Sequence, residues 1–199
     1  MNITIIGASD MFALSFADWA IEAGHTITFV GFSTAQAEEM VEKIGSGKPV
    51  GPEATIIDDL VFLAIPYICL QPVLQTYPRQ IGDKVVVDLI TPIDLNTLEL
   101  VHPVAGSASH EILGTWPKTK VVKAISSKFS PMFLKKSSSN KEMDEIFLAS
   151  DNKEAKEMIA AFFQKGGLRP IDAGLLDQAK ELEKLGYQDT VLGQAGPYN

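Results

Sequence analysis

The sequence predicts an α/β fold in which a doubly wound, mostly parallel sheet carries helices on both faces. Short apolar runs such as ITIIG at 3–7 alternate with longer stretches whose apolar residues recur at helical spacing. A run that is apolar nearly throughout is typical of a strand buried on both faces. The alternation of strand and helix then indicates parallel strands joined by right-handed crossovers.

The first part of the chain contains a second strand and two helices. The stretch 11–24 carries aromatic and small apolar residues at helical spacing and ends at a glycine, so it predicts a helix. The run 25–31 is short and rich in β-branched residues, which favours a strand. The acidic stretch 34–45 predicts another helix, with Ser33 or Thr34 as its N-cap.

The middle of the chain continues the alternation. The glycine-rich stretch 45–54 predicts a loop, LVFLAIP at 60–66 a buried strand, and 67–79 a helix. KVVVDLI at 84–90 is another buried strand. Five proline and glycine residues interrupt 91–119, which we expect to be irregular.

The last third adds strands and helices in the same rhythm. Strands are predicted at 120–125, 144–150 and 168–174, and helices at 152–167 and 175–186. The serine- and lysine-rich piece KKSSSNK at 135–141 is predicted to be a mobile loop.

Composition excludes several classes of function. A formal net charge of −8 argues against a nucleic-acid partner, because such a protein presents a basic face. No apolar run is long enough to span a bilayer, and Met1 leads into the first strand without a signal-peptide pattern. We therefore expect no membrane contact. Cys69 is the only cysteine, so we expect no intramolecular disulfide and a cytoplasmic location. No spacing of histidine, cysteine and carboxylates indicates a metal site.

The turn after the first strand reads GASDMF, where a dinucleotide-binding protein usually has G-x-G-x-x-G. Ligands of such sheets bind at the carboxyl ends of the strands, so Gly7, Ser9, Asp10 and Met11 are predicted to line a pyrophosphate site. Gly7 allows the tight turn, and Ser9 is small enough to donate its hydroxyl to a phosphate oxygen. Asp10 opposes binding, since like charges a few ångströms apart repel by about 1 kcal/mol in water and more when desolvated. Phe12 replaces the glycine that normally lets the helix pack closely on the strand.

The second strand ends in Gly31-Phe32-Ser33-Thr34, at the position that usually distinguishes NAD from NADP. A protein that binds NAD usually has Asp or Glu there for the ribose hydroxyls, and one that binds NADP has a basic residue for the 2′-phosphate. Neither is present, and the missing acid argues against NAD. Phe32, Ser33 and Thr34 are predicted to contact the cofactor, with hydroxyls, amides and the helix dipole holding a phosphate. The alternative is that Ser33 and Thr34 only cap the second helix.

Several stretches occur in the same order as in a known family: ITIIGASDM, EAGHTITFVG, VFLAIPY, KVVVDLITP, KVVKA, GLRPIDAGLL and AKELEKLG. Together they resemble the coenzyme F420-dependent NADP oxidoreductases, over almost the whole chain. The resemblance implies a Rossmann-type fold that binds NADP. It also implies hydride transfer between the nicotinamide and a deazaflavin, a flavin-like molecule or an unidentified acceptor, and a homodimer paired through C-terminal helices.

The resemblance places four further residues beside the cofactor. Ile65 and Pro66 end a strand where relatives carry a Val-Pro-aromatic stretch beside the adenosine and the nicotinamide ribose. Thr91 stands in DLITP where relatives have asparagine, and Ala124 begins AISS where relatives have A-F-N-T beside the nicotinamide. We expect all 199 residues to form one domain, with a nucleotide-binding core at about 1–125 and a C-terminal part at about 126–199 that completes the sheet.

Two functions are compatible with these residues. The first is an NADP-preferring oxidoreductase, whose catalytic residues the sequence does not identify because the cofactors carry the hydride chemistry. The second is a non-catalytic relative that has kept the scaffold and lost tight dinucleotide binding. It is favoured by Ser9, Asp10, Phe12 and Phe32, which all depart from the usual pattern.

Histidines and aromatic residues near the predicted loops allow more than one interpretation. His25 is predicted to be structural, whereas His102 and His110 are either proton donors or exposed loop residues. A further set forms either an apolar wall for a planar ring or ordinary packing, in the core or at a dimer contact. Its members are Trp116, Phe129, Met132 and Phe133.

Overall fold

The computed structural model of the chain describes residues 1–7, 11–126 and 144–194, apart from the side chains of 11, 12 and 189–194. The strands are β1 (Asn2–Ile6), β2 (Thr26–Val30), β3 (Lys48–Val50), β4 (Leu60–Leu63), β5 (Val85–Asp88), β6 (Lys120–Ile125), β7 (Glu145–Ala149) and β8 (Arg169–Gly174). The α-helices are α1 (Met11–Glu22), α2 (Thr34–Ile44), α3 (Leu70–Thr76), α4 (Pro78–Ile81), α5 (Ala108–Thr115), α6 (Lys153–Lys165) and α7 (Ala179–Gln194). Short 3₁₀ helices at Tyr67–Cys69 and Leu176–Gln178 precede α3 and α7.

The eight strands form one sheet in the order β3-β2-β1-β4-β5-β6-β7-β8. Neighbouring strands from β3 to β6 are parallel, β7 is antiparallel to β6, and β8 is parallel to β7. The chain winds outward from β1 to β3 and then returns to β4, beside β1, so the strand order reverses there. This arrangement confirms the predicted doubly wound, mostly parallel Rossmann-type fold.

Apolar cores cover both faces of the sheet. On one face the sheet packs against α1, α2 and α6, around Phe16, Phe62 and Phe163. The ring centroids of Phe16 and Phe62 lie 4.6 Å apart, as expected of a close aromatic pair. On the other face it packs against α3, α5 and the start of α7. Strands buried on both sides explain the continuous apolar runs in the sequence.

Two predicted boundaries are wrong in the first half of the chain. The predicted loop 45–54 contains β3, a short edge strand that pairs with β2. The predicted helix 67–79 is divided, because α3 ends at Thr76 and Pro78 begins α4. A residue that precedes proline is disfavoured in the α conformation, and Tyr77 has φ −113° and ψ 23°.

Two later predictions also need correction. The region 91–119 is not irregular throughout, since α5 lies within it and begins at the N-cap Ser107, whose Oγ accepts a hydrogen bond from His110 N. The last helix continues to Gln194, beyond the predicted end at 186. The predicted mobile loop 135–141 lies outside the described residues.

Both edge strands of the sheet contain a proline, Pro49 in β3 and Pro170 in β8. Proline has no N–H to pair with an added strand, so it discourages extension of the sheet at either edge. In the part of the chain that the structure describes, no helix has the length and apolar character needed to cross a membrane.

Candidate functional site

The turn after β1 lies at the carboxyl edge of the parallel strands, where the strand order reverses. Gly7 has a φ of +106°, and its N–H donates to Val30 O at 3.0 Å. A Cβ built on Gly7 would overlap Ile65 Cγ2 and the carbonyl oxygen of Ala64, at the end of β4. Both the backbone conformation and the close approach of the neighbouring strand therefore require glycine.

The rest of this turn is only partly described. Ser9 and Asp10 lie outside the described residues, as do the side chains of Met11 and Phe12. Their predicted contacts with a pyrophosphate stay predictions. The described part of the turn fixes its position, because α1 begins at Met11 and packs on the sheet beside β1.

The turn from β2 into α2 is equally tight. A Cβ built on Gly31 would lie 2.6 Å from Ser33 O and 2.8 Å from Ala37 N, so no side chain fits there. Ser33 is the N-cap of α2, and its Oγ accepts a hydrogen bond from Gln36 N at 3.2 Å. The hydroxyl proton of Ser33 is still available to a ligand.

The start of α2 has the character of an anion site. Because β1 and β2 are adjacent and parallel, with Ile6 opposite Val30, both turns lie at the same edge of the sheet. Phe32, Ser33 and Thr34 are all exposed there. The first N–H groups of a helix have no intrahelical acceptor, and the positive end of the helix dipole lies at the same place. Phosphate binding at such a helix start needs no basic side chain.

The ends of β1 and β2 form one half of the carboxyl edge, and the ends of β5 and β6, together with α7, form the other half. A Cβ built on Gly186 would lie 2.7 Å from Thr91 Oγ1 and 3.2 Å from Ile125 Cδ1. Gly186 therefore lets α7 approach the ends of β5 and β6 closely, and half-buried Thr91 lies against it. Ala124 is fully buried in the core on the opposite face, so its side chain is not at the surface of this edge. Pro66, at the end of β4, is half-buried.

A buried cluster of charged residues, which the sequence pattern does not predict as a group, lies beneath the ends of β5 and β6. It consists of Asp88 on β5, Lys123 on β6 and Glu183 on α7, whose exposed fractions are 0%, 0% and 2%. Lys123 Nζ lies 3.1 Å from Asp88 Oδ2 and 3.5 Å from Glu183 Oε1. It also donates to the carbonyl oxygen of Ile90.

The carboxylates of the cluster have further donors. Asp88 accepts from Ile90 N at 2.8 Å and from Ser109 Oγ at 2.5 Å, and Glu183 accepts from Ala108 N at 2.8 Å. Buried charges without such partners would be strongly destabilising. Burial raises the pKa of Glu183 to about 7, and the charge of Asp88 adds to the rise, whereas Lys123 and the Ala108 N–H oppose it. Glu183 therefore titrates near neutral pH.

The sequence contains only a partial signal for this cluster. Lys123 stands in the middle of the apolar strand KVVKAI, and Asp88 follows three valines. A charged residue inside a strand that is buried on both faces needs a partner. Glu183 carries no such signal, because it is one of several charged residues in its helix.

A second polar group lies beside α5. Tyr67 OH donates to Glu111 Oε1 at 3.1 Å. Burial, followed by the hydrogen bond to Glu111, raises the pKa of Tyr67 to about 12. Tyr67 therefore holds its proton at neutral pH. Among the histidines, His102 is exposed, whereas His110 lies on α5 with Nδ1 2.7 Å from Ser107 Oγ.

Trp116 does not form a wall at the carboxyl edge. It is 3% exposed, and its Nε1 donates to Leu74 O at 3.0 Å, within the core between α3 and α5. The interpretation of Trp116 as a packing residue is therefore correct. The other three aromatic and methionine residues of that set lie outside the described part of the chain. His25 is buried and stacks on Phe162 with ring centroids 4.3 Å apart, in agreement with a structural role.

The strand order, the Gly7 turn at the point of reversal and the exposed start of α2 define a Rossmann-type fold. Residues 2–92, from β1 to the turn after β5, match the family described as NADP oxidoreductase, coenzyme F420-dependent, which confirms the predicted resemblance over this part of the chain. The family match supports an NAD(P)-binding oxidoreductase.

Solved structures share the fold. A hypothetical protein, SMa0349 from Sinorhizobium meliloti, is 22% identical with a TM-score of 0.75, over 88% of this chain and 86% of that one. A candidate F420-dependent NADP reductase from Arthrobacter sp. FB24 is 18% identical with a TM-score of 0.80, over 98% and 94%. Prephenate dehydrogenase from A. aeolicus, in complex with NAD+, is 13% identical with a TM-score of 0.62, over 92% and 61%. No curated protein matches the sequence.

Proposed function

We propose that the protein is an oxidoreductase that binds NADP(H) at the carboxyl edge of the sheet and transfers hydride to or from an unidentified, deazaflavin- or flavin-like acceptor. The Gly7 turn carries the proposal, because it lies where the strand order reverses and beside the exposed start of α2. This is the place at which Rossmann-type folds hold a pyrophosphate. The match of residues 2–92 to the family supports NADP(H) as the dinucleotide.

The predicted site residues divide along the edge in the order of the parts of a dinucleotide. We propose that Gly7, Ser9, Asp10 and Met11 border the pyrophosphate, and that Phe32, Ser33 and Thr34 border the adenine and the 2′-phosphate. Pro66 and Thr91 would border the ribose and the nicotinamide, and Ile65, whose side chain is buried, would do so through its backbone. Because Ala124 is buried, the backbone at the end of its strand would face the nicotinamide. NADPH, when bound, supplies the hydride.

The remaining parts of the proposal come from the resemblance and the composition. We propose that the nucleotide-binding core spans about 1–125 of a single domain of 199 residues. We also propose that the chain is a cytoplasmic homodimer. Light scattering of the purified chain, which measures its molar mass in solution, would test the dimer.

Replacement of Ser33 by aspartate tests the place of the 2′-phosphate. Aspartate caps a helix about as well as serine, so α2 should keep its stability. The added charge should repel the 2′-phosphate and raise the Kd for NADPH by about fivefold or more, because like charges a few ångströms apart repel by about 1 kcal/mol or more. We expect the Kd for NADH to change by less than about threefold. Calorimetric titration of wild type and variant measures both constants.

Asn152→Asp is the matched control for Ser33→Asp. Asn152 is the N-cap of α6, where its Oδ1 accepts from Ala155 N at 2.8 Å. It follows the antiparallel strand β7 and so lies at the opposite edge of the sheet. This control should leave both nucleotide constants unchanged. Equal weakening of NADPH and NADH by Ser33→Asp would contradict the assignment of the 2′-phosphate to α2.

The Asp10→Asn, Phe12→Gly double variant separates the oxidoreductase from the non-catalytic alternative. It removes the charge that opposes the phosphates and restores a fingerprint glycine, so NADPH should bind about fivefold more tightly or better. Asp18→Asn, which removes an exposed carboxylate of the same helix α1, should have no such effect. NADPH binding that appears only in the double variant would favour the non-catalytic alternative. Unchanged affinity would mean that the native turn holds the nucleotide in another geometry.

A further inference from the structure

We propose that Lys123 is a positioning residue that holds the segment Leu89–Pro92 in place at the nicotinamide end of the groove. Glu183 fixes α7 against the same segment. This inference rests on the proposed function, because it assigns a role to the buried cluster of Asp88, Lys123 and Glu183 within the proposed nucleotide site.

The number of acceptors around Lys123 Nζ equals the number of its N–H donors. An ammonium group has three N–H donors and no acceptor. Within reach of Lys123 Nζ lie three acceptors, which are Asp88 Oδ2 at 3.1 Å, Glu183 Oε1 at 3.5 Å and the carbonyl oxygen of Ile90. The side chain is 0% exposed, so water does not compete for these donors. The lysine is therefore held in one orientation by the end of β5, by the segment that follows it and by α7.

Ile90 is held by side chains on both of its backbone groups. The ladder between β4 and β5 ends just before it, where Leu89 N donates to Leu63 O at 3.1 Å. Beyond that point Ile90 N donates to Asp88 Oδ1 at 2.8 Å, and Ile90 O accepts from Lys123. The cluster thus fixes the backbone of Ile90, which lies one residue beyond the last hydrogen bond between β4 and β5. Thr91, which is proposed to border the ribose and the nicotinamide, follows immediately.

The same cluster anchors the two helices that flank this segment. Ser109 Oγ of α5 donates to Asp88 Oδ2 at 2.5 Å, and Ala108 N at the start of α5 donates to Glu183 at 2.8 Å. One turn beyond Glu183, Gly186 brings α7 against Thr91. Movement of Lys123 would therefore disturb β5, α5 and α7 together, on both sides of Thr91.

Stability alone does not account for such a cluster. Replacing a buried ion pair or triad by well-packed apolar residues is often neutral or stabilising, so buried charges are weak evidence for stability. Here the charges converge on one backbone segment at a ligand-binding edge. We therefore infer that these charges hold the segment Leu89–Pro92 in place.

The Asp88→Asn, Lys123→Met double variant tests the proposal. It removes one positive and one negative charge together, and it keeps an acceptor at position 88 for Ile90 N. Glu183, with a pKa of about 7, can stay protonated at a mildly acidic pH, so no unpaired charge is buried. The specific loss is the hydrogen bond from Lys123 to the carbonyl oxygen of Ile90.

Amide hydrogen exchange and nucleotide titration provide the two measurements. We expect exchange of the amides at 89–91 to accelerate about tenfold more than in the rest of the sheet. We expect the Kd for NADPH to rise about tenfold, whereas that for adenosine 2′,5′-bisphosphate, which lacks the nicotinamide half, should not change. If Lys123 had only a structural role, its loss would weaken the binding of both ligands equally.

Lys156→Met is the matched control. Lys156 also bridges a carboxylate and a backbone carbonyl, Asp172 Oδ1 at 2.6 Å and Gly174 O at 2.8 Å, but at the amino edge of the sheet. Its loss should leave exchange of the amides at 89–91 and NADPH affinity as in the wild type. Uniform exchange in the Asp88→Asn, Lys123→Met variant, or parallel loss of both ligands, would overturn the positioning role.

The wild-type chain gives an independent test that requires no variant. Because Ile90 N is held by a buried carboxylate, its exchange should occur only through global unfolding. Exchange of this amide through local opening would overturn the proposal even where the double variant fails to fold. A wild type that binds neither NADPH nor adenosine 2′,5′-bisphosphate would instead contradict the proposed function, and exchange alone would then decide the role of Lys123.

Discussion

Replacing Gly7 with alanine is expected to destabilise the protein by about 3 kcal/mol and to abolish NADPH binding. Gly7 has a φ of +106°, which disfavours any residue with a Cβ by about 1–2 kcal/mol. The added methyl group would also overlap Ile65 Cγ2 and the carbonyl oxygen of Ala64. Overpacking of a well-packed region costs about 1–3 kcal/mol. Relief of the overlap requires the turn to move, and the turn borders the proposed pyrophosphate site.

Gly24→Ala separates backbone strain from overlap. Gly24 also has a positive φ, +81°, but a Cβ built there meets nothing within 4 Å. Its replacement should therefore cost only the backbone term, about 1–2 kcal/mol, and should leave NADPH affinity unchanged. Urea unfolding and calorimetric titration of both variants measure the difference. Equal losses of stability in the two variants would mean that the end of β4 yields to the added methyl group.

Replacing Glu183 with glutamine is expected to change the pH dependence of stability by about 3 kcal/mol. Burial raises the pKa of Glu183 in the folded protein to about 7 from an ordinary value of 4.5. The folded state therefore keeps this proton to a higher pH than the unfolded state. The resulting stabilisation is fully present below pH 4.5 and is lost as the pH rises through about 7. Glutamine does not titrate, so the variant should gain stability relative to the wild type across this range.

Glu181→Gln is the control for this measurement. Glu181 lies on the same helix but is exposed, and it pairs with Lys184 at 2.7 Å. Its variant should follow the stability curve of the wild type at every pH. Urea unfolding between about pH 4 and pH 8 gives the free energies. Parallel curves for Glu183→Gln and the wild type would contradict a raised pKa for Glu183 in the folded protein.

The central part of the fold could be predicted because its strands are buried on both faces. The runs around Ile5, Phe62 and Val87 are apolar without alternation, and this pattern is hard to satisfy except in a covered parallel sheet. The short strand β3 could not be predicted, since three residues that include Pro49 become a strand only through pairing with β2. Helix α5 could not be predicted, because Gly114 lies inside it and Gly106 stands directly before its N-cap Ser107.

The candidate site was predictable only where the turns themselves carry the signal. Gly7 and Ile65 are in contact because each lies at the carboxyl end of one of two neighbouring parallel strands, β1 and β4. The buried cluster depends on contacts between residues far apart in the chain, such as Asp88 and Glu183, both within reach of Lys123. No local pattern reports such a contact, because it exists only once β5, β6 and α7 have packed together.

Calorimetric titration of the full chain with NADPH is the most direct test of a dinucleotide site at the carboxyl edge of the sheet. We expect saturable binding of one NADPH per chain, with a Kd of about 1 μM or below and weaker binding of NADH. Absence of binding at about 1 mM NADPH, which corresponds to less than about 4 kcal/mol of binding free energy, would contradict the proposed function.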